Sequence, residues 1–161
     1  MKDSETDMEA ETGPHSLSQK DQDLLLIFDS SGFLSGGIRN VSPREAYHLC
    51  KMGALLLDLR RAYMTVFKVP EVPHLRLLPF GQLKDELHGL DKEAVILCID
   101  SVGLNSHEAW VILNEAGFTR IANVAGGIVQ WERDNFPMKI DYSEMLTGSC
   151  ACQLRARKKK K

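Results

Sequence analysis

The residues best suited to chemistry follow one apolar run near the middle of the chain. Cys98 and Asp100 stand at the end of the run Val95 to Ile99, and the mostly polar, glycine-containing segment 101–106 follows them. An unbroken apolar run of this length is typical of a parallel β-strand that is buried on both faces. A thiol and a carboxylate therefore lie where a predicted strand opens into a loop.

The segment after this loop is predicted to be an amphipathic helix. Asn105 and Glu108 have the spacing of a capping box, which places the start of the helix near Asn105. Apolar residues then recur at helical spacing at Ala109, Ile112, Leu113 and Ala116. A loop that closes onto a helix N-terminus directs several backbone N–H groups to one point and attracts anions there. Asp100 is the acidic group that the sequence offers at that point.

Three motifs in order resemble the rhodanese-like (sulfurtransferase) domain family. They are Leu56 to Arg60 (LLDLR), the strand and loop around residue 100, and Val124 to Trp131 (VAGGIVQW). The resemblance extends from about Val41 to Pro137. It implies a three-layer α/β fold, with a mostly parallel central sheet and helices on both faces. The alternation of predicted strands and helices favours the same architecture.

The resemblance also implies a chemistry and assigns positions in it. A rhodanese-type thiolate takes sulfur from a donor such as thiosulfate, loop amides stabilise it, and loop Arg or Lys residues bind the anionic donor. By the resemblance, Asp100 stands at the nucleophile position, and Ser101 and Asn105 stand where loop cations are common. The loop that forms the predicted anion site comprises Asp100, Ser101, Val102, Gly103, Leu104, Asn105 and Ser106.

A carboxylate at this position opposes sulfur transfer. It cannot carry a sulfane sulfur, and it would repel thiosulfate. Two like charges about 4 Å apart cost roughly 4 kcal/mol at an effective dielectric constant near 20, which corresponds to roughly a thousandfold weaker binding. The sequence therefore predicts a rhodanese-like module without this activity. It would bind an unknown protein or small-molecule partner through the altered loop, with Asp100 as a preformed acceptor.

The alternative is an active sulfurtransferase or redox protein that uses a cysteine elsewhere. Cys98 could be the nucleophile only if the loop were two residues longer, and its apolar neighbours predict a buried, protonated thiol. Cys150 and Cys152 precede a basic run, and nearby positive charge favours oxidisable thiols that could handle sulfur. Two other interpretations stay open: the pair could supply two of the four ligands of a zinc site, or the two cysteines could be incidental. A phosphatase loop of the Cys-x5-Arg type is not matched, because neither residue is present when the count starts at Asp100.

Other polar and thiol residues are expected to be structural. Asp58 and Arg60 follow a predicted strand at the sheet edge where open α/β folds place their sites, and we expect them to support the site by pairing internally. Cys50 lies on the apolar face of a helix that begins at Ser42 and is expected to be a core thiol. Residues 61–74 depart from the family pattern, so this rim of the pocket is expected to be reshaped.

The 161 residues, 43% of them hydrophobic, suit one domain with tails. We expect an acidic disordered tail over 1–23, a linker or short packing helix over 24–40, the rhodanese-like domain over 41–140, and a tail with Cys-x-Cys and a basic run over 141–161. The apolar patch Leu24 to Phe28 either packs on the domain or recruits a partner. Gly32, Gly36 and Gly37 are expected to form a flexible link.

Composition narrows the remaining possibilities. No apolar stretch is long enough, with suitable flanks, for a signal peptide or a membrane span. Four cysteines do not resemble a disulfide framework, which favours a cytoplasmic location. A short lysine run at residues 158–161 is a weak nucleic-acid or membrane signal. No metal or cofactor is expected.

Overall fold

The computed structural model of this protein describes residues 17–143, and a twisted sheet lies between two layers of helices. The strands are β1 (Phe33–Ser35), β2 (Ile38–Val41), β3 (Leu55–Asp58), β4 (Lys68–Pro70), β5 (Leu75–Leu77), β6 (Ile96–Ile99), β7 (Ile121–Val124) and β8 (Met138–Ile140). The α-helices are α1 (Gln19–Ser30), α2 (Pro43–Met52), α3 (Ala62–Thr65), α4 (Leu83–Glu86), α5 (Leu104–Glu115) and α6 (Gly127–Arg133). Short 3-10 turns at Phe80–Gln82 and Leu87–Gly89 flank α4.

The main sheet has the strand order β1-β2-β7-β6-β3-β5. Only the β1–β2 pair is antiparallel, and every other pair in this sheet is parallel. A small antiparallel sheet of β4 and β8 lies apart from it. The predicted α/β fold with a mostly parallel central sheet is therefore confirmed.

Side chains that alternate along the strands build one core on each face of the sheet. On β6, Leu97 and Ile99 pack in the core beneath α1, α2 and α6, whereas Ile96 and Cys98 pack in the core beneath α4 and α5. All four residues are buried. A strand that is apolar on both faces is what a sheet covered on both sides requires, and this explains the unbroken apolar run in the sequence.

Helix α2 begins and ends as the sequence predicts. Ser42 is its N-cap, Pro43 opens the first turn, and the Ser42–Glu45 capping box is complete. The helix ends at Gly53, and its buried face carries Ala46, Leu49 and Cys50. Burial raises the pKa of the Cys50 thiol to about 12, so this thiol stays protonated inside the core.

The segment before α2 forms regular secondary structure, although its glycines predicted a flexible link. Residues 33–41 form a hairpin of β1 and β2 that extends the main sheet, so the expectation of a flexible link is wrong. Gly36 and Gly37 both have positive φ in its turn, a conformation that glycine adopts without strain. Helix α1 packs on α2 and buries Leu24 and Phe28.

Candidate functional site

The candidate site consists of the loop between β6 and α5 and the first two residues of α5, residues 100–105, which we call the site loop. Its centre is the Asp100 carboxylate, and this residue is only 2% exposed. One carboxylate oxygen accepts hydrogen bonds from the N–H groups of Val102 (3.1 Å) and Gly103, and the other accepts from the Asn105 N–H at 2.7 Å. The side chain of Asp100 thus occupies the amide cradle of its own loop.

These contacts change two sequence-based expectations. Helix α5 begins at Leu104 with Gly103 as its N-cap and no side-chain cap, so the predicted Asn105–Glu108 capping box is wrong. Instead, Asp100 satisfies the Asn105 N–H in the first turn from outside the helix. Because both carboxylate oxygens already accept internal hydrogen bonds, Asp100 does not present an open acceptor to a ligand.

Helix α6 holds the site loop from the other side. The Ile128 N–H donates to the Asp100 carbonyl oxygen at 2.8 Å, and the Val129 N–H donates to the Ser101 carbonyl oxygen at 3.2 Å. At Gly127, which has φ +57°, an added Cβ would lie 2.5 Å from the Asp100 carbonyl oxygen. Gly127 of the Gly126-Gly127 motif is therefore what allows the helix to approach the loop backbone so closely.

Asp58 and Arg60 form a buried pair next to the end of β3. Arg60 donates to both carboxylate oxygens of Asp58, at 2.6, 2.9 and 3.2 Å. Its guanidinium also reaches the Lys68 carbonyl oxygen at 2.9 Å and the Met64 carbonyl oxygen at 3.5 Å. The pair thus ties β3 to the segment 64–68, and the cation of Arg60 is committed to these internal acceptors.

Cys98 lies below the site loop, inside the sheet. It is fully buried in the core beneath α5, away from the amides that face Asp100. Burial, followed by the neighbouring charge of Asp100, raises the pKa of the Cys98 thiol to about 12. A thiol in this environment is a poor nucleophile at neutral pH.

The remaining residues of the predicted site divide into buried and exposed groups. The Ser106 hydroxyl is buried and donates to the Asn123 side-chain oxygen, and the Asn123 amide donates to Asn40 at 2.7 Å, which links α5 to β7 and β2. By contrast, Val102 is 55% exposed and Leu104 is 75% exposed. Sequence reasoning treated the loop as a polar anion site and missed this apolar surface, although two aliphatic residues in a loop were the available signal.

The two remaining cysteine candidates, Cys150 and Cys152, lie outside the described residues. Within residues 17–143, no group of three or more His, Cys, Asp or Glu side chains could hold a metal ion. No helix in that same range is long and apolar enough to cross a membrane.

Comparison with known proteins agrees with this fold. The rhodanese-like domain family matches residues 42–134. Thiosulfate sulfurtransferase GlpE of Actinobacillus pleuropneumoniae serotype 3 (strain JL03) is 31% identical over 111 residues, which are 68% of this chain and 100% of the relative. The same-named protein of Actinobacillus succinogenes is 26% identical over 104 residues, which are 63% of this chain and 91% of the relative.

Solved structures show the same architecture. A rhodanese-related protein from Thermoplasma volcanium superposes with a TM-score of 0.57 at 22% identity, over 64% of this chain and 99% of that one. A rhodanese-like domain from Anabaena, solved by NMR, has a TM-score of 0.56 at 16% identity, over 76% of this chain and 86% of that one. This chain belongs to the rhodanese-like domain family.

Proposed function

We propose that this chain is a rhodanese-like module that lacks thiosulfate sulfurtransferase activity at the site loop and that binds a protein partner through this loop. The observation that carries the proposal is the position of the Asp100 carboxylate. It accepts the N–H groups of Val102, Gly103 and Asn105, the donors that a thiolate or persulfide would need. An oxygen acid among these amides offers no sulfur atom on which a persulfide could form.

The surrounding charges support the same conclusion. Residues 100–105 contain no Lys or Arg. The nearby Arg60 makes its strongest contacts with Asp58, at 2.6 and 2.9 Å. An anionic donor such as thiosulfate would therefore meet the negative charge of Asp100 without cationic help from the loop.

Partner binding rests on the apolar side chains of the same loop. Val102 and Leu104 project into solvent on either side of Gly103. Val129 of α6 is also half-exposed, and its backbone N–H donates to the Ser101 carbonyl oxygen, so a third exposed aliphatic residue is attached to the loop. Exposed aliphatic side chains that adjoin one another are a recurrent feature of protein contact sites.

Sulfur transfer by another cysteine is the second candidate, because the curated relatives are named thiosulfate sulfurtransferases. The sulfur would be carried by Cys98 or by the pair Cys150 and Cys152. The burial of Cys98 and its pKa of about 12 argue against the first route. The cytoplasmic location expected from the cysteine usage stays a prediction.

A thiosulfate:cyanide assay, together with mass spectrometry of the chain and of its peptides after exposure to a sulfane donor, separates these candidates. Our proposal expects no turnover above the level of free thiol controls and no sulfur adduct within residues 95–106. Turnover that is lost in Cys98→Ser would overturn the proposal in favour of Cys98. Turnover that is lost only when Cys150 and Cys152 are replaced would establish a sulfur carrier outside the loop.

The binding half of the proposal is tested with matched surface variants. Leu104→Asp places a charge in the site loop, and Leu26→Asp places one on α1, where Leu26 is 73% exposed. In a quantitative pull-down from the source cell, we expect a specific set of proteins to be lost with Leu104→Asp and retained with Leu26→Asp. Equal recovery with both variants would exclude the site loop as the binding surface.

A further inference from the structure

A second apolar feature lies beside the site loop, between α3 and α6. It is a cavity of about 270 Å³, which we call the α3 cavity, and its lining residues are Arg60, Tyr63, Met64, Phe67, Lys68, Ile128 and Glu132. Tyr63 is 68% exposed there, and Phe67 is partly exposed as well. Lys68 and Glu132 form an ion pair at its border. The cavity therefore offers mainly apolar contact, with one internally paired polar edge.

The chain leaves the described part of the structure next to this cavity. Strand β8 pairs with β4, and the Asp141 N–H donates to the Phe67 carbonyl oxygen at 2.8 Å. Phe67 and Lys68 also line a smaller neighbouring cavity of about 200 Å³, which Lys139 and Asp141 border. Residues 144–161 therefore begin three positions after Asp141, which is hydrogen-bonded to the cavity residue Phe67.

We propose that the α3 cavity binds Met145 and Leu146 of the same chain. These are the first apolar residues beyond Tyr142, and they follow Asp141, which is hydrogen-bonded to Phe67, by only four and five positions. A residue spans at most about 3.3–3.6 Å of extended chain, so this short connection reaches the lining residues on either side of Phe67. It also holds the segment at an effective concentration in the millimolar range, where modest apolar contact is enough.

The size and the chemistry of the cavity favour a pair of side chains over a small molecule. Its volume lies at the lower limit for sites that enclose small ligands, and those sites combine apolar walls with a few unpaired polar groups. In the α3 cavity, Arg60 is committed to Asp58, and Lys68 is paired with Glu132. The contacts that remain are aromatic and aliphatic, which matches Met and Leu.

The docked segment would bring the Cys-x-Cys motif close to the site loop. Cys150 follows Leu146 by four residues, which span at most roughly 14 Å. Ile128 lines the α3 cavity, and its N–H binds the Asp100 carbonyl oxygen. This inference does not depend on the absence of sulfur transfer at the site loop.

Site-specific photocrosslinking in the full chain tests the proposal. A benzophenone amino acid replaces Leu146 in one sample and Leu154, a leucine further along the same segment, in the control. After irradiation and digestion, we expect links from position 146 to Tyr63, Met64 or Phe67, in material of monomer mass and at several times the level obtained from position 154. Links to other surfaces, or equal levels from both positions, would overturn the proposal. Links found only in material of dimer mass would overturn it in favour of a second copy.

Hydrogen exchange gives an independent readout. The double variant Met145→Asp with Leu146→Asp is expected to increase amide exchange severalfold over residues 62–68, whereas Leu154→Asp leaves it unchanged. Unfolding midpoints of both variants equal to that of the unaltered chain establish that the fold is intact for the comparison. Unchanged exchange in the double variant would contradict docking in the α3 cavity.

Discussion

At residue 100, the carboxylate oxygens and the backbone N–H groups of the loop satisfy each other's hydrogen-bonding capacity. The two oxygens of Asp100 accept three backbone N–H groups that otherwise have no partner inside the loop. Hydrogen bonds to an ionised acceptor are stronger than neutral ones, and their loss leaves buried donors unpaired. The Asp100 side chain thus stabilises the start of α5.

Asp100→Asn tests this stabilising role. The amide keeps one acceptor oxygen but turns an NH₂ group toward backbone donors, so we expect the free energy of unfolding to fall by about 1–3 kcal/mol. Chemical denaturation measures the change. The matched control is Asp91→Asn, because the Asp91 side chain is exposed and accepts only the Glu93 N–H among the hydrogen bonds of the described residues. A loss no larger than that of the control would contradict the assigned role.

Asp100→Cys tests whether a thiol at position 100 is sufficient for sulfurtransferase activity. We expect at most weak thiosulfate:cyanide activity from this variant, because Ser101 and Asn105 still provide no cation for the donor. The assay is run beside Asp100→Ser, which has a similar size and no thiol. Robust turnover by Asp100→Cys would show that the rest of the loop is competent.

The buried thiols predict a dependence of stability on alkaline pH. The pKa values of Cys50 and Cys98 are raised to about 12 in the folded chain, whereas an unfolded thiol titrates near 8.5. Between these values the unfolded chain binds fewer protons, so stability is fully present below about pH 8.5 and falls as the pH rises toward 12. Unfolding midpoints measured across this range should decline less steeply in Cys98→Ala than in the unaltered chain. If the unfolding midpoint of Cys98→Ala depends on pH as steeply as that of the unaltered chain, burial does not raise the pKa of Cys98.

At the scale of elements, the position of the site loop depends on two helices that approach it from different sides. The N-terminus of α5 donates the Asn105 N–H to the Asp100 side chain, and the N-terminus of α6 donates to the carbonyl oxygens of Asp100 and Ser101. The loop backbone is therefore held through both its donors and its acceptors. The two helices thus fix the path of the loop backbone from both sides.

Gly127→Ala is expected to disrupt this attachment. The new Cβ would lie 2.5 Å from the Asp100 carbonyl oxygen, and the φ of +57° is strained for alanine, so we expect a loss of more than about 2 kcal/mol in the free energy of unfolding. Gly81→Ala is the matched control, because nothing lies within 4 Å of the point that its new Cβ would occupy. Thermal or chemical denaturation compares the two. Equal stability would mean that α6 can shift without cost.

At the scale of the whole molecule, the N-terminal helix and hairpin are part of the packed unit. Phe28 is buried against α2, and Arg39 of β2 lies over its ring and donates to the Phe28 and Ser31 carbonyl oxygens at 3.1 and 2.8 Å. The Gly32 N–H also donates to Glu45 at the start of α2. The apolar patch at Leu24 to Phe28 thus extends the core beyond the segment that matches the family.

Phe28→Ala should destabilise the entire chain rather than only α1. Deletion of a buried aromatic ring typically costs about 3–5 kcal/mol, whereas Leu26→Ala, at an exposed position on the same helix, should stay within about 0.5 kcal/mol. The unfolding transition followed by tryptophan fluorescence and by circular dichroism should remain a single step in both variants. A separate early transition of α1 in the unaltered chain would contradict this integration.

Local signals in the sequence predicted much of the fold. The capping box at Ser42 and Glu45, the double-sided strand β6 and the Gly-Gly start of α6 each depend on neighbouring residues, so they are readable without the tertiary structure. The carboxylate at position 100 and the absence of any lysine or arginine in the site loop are likewise matters of sequence alone.

Tertiary contacts determined the features of the fold and of the site that local sequence signals did not predict. The glycines at 32, 36 and 37 permit either a free link or a hairpin, and only pairing of β2 with β7 selects the hairpin. The Asn105–Glu108 spacing predicted a capping box, but the Asn105 N–H donates to the Asp100 side chain instead. Whether a carboxylate lies open to ligands or is filled by its own loop depends on where the loop backbone turns. The packing of α5 and α6 sets that turn. This packing cannot be read from the sequence.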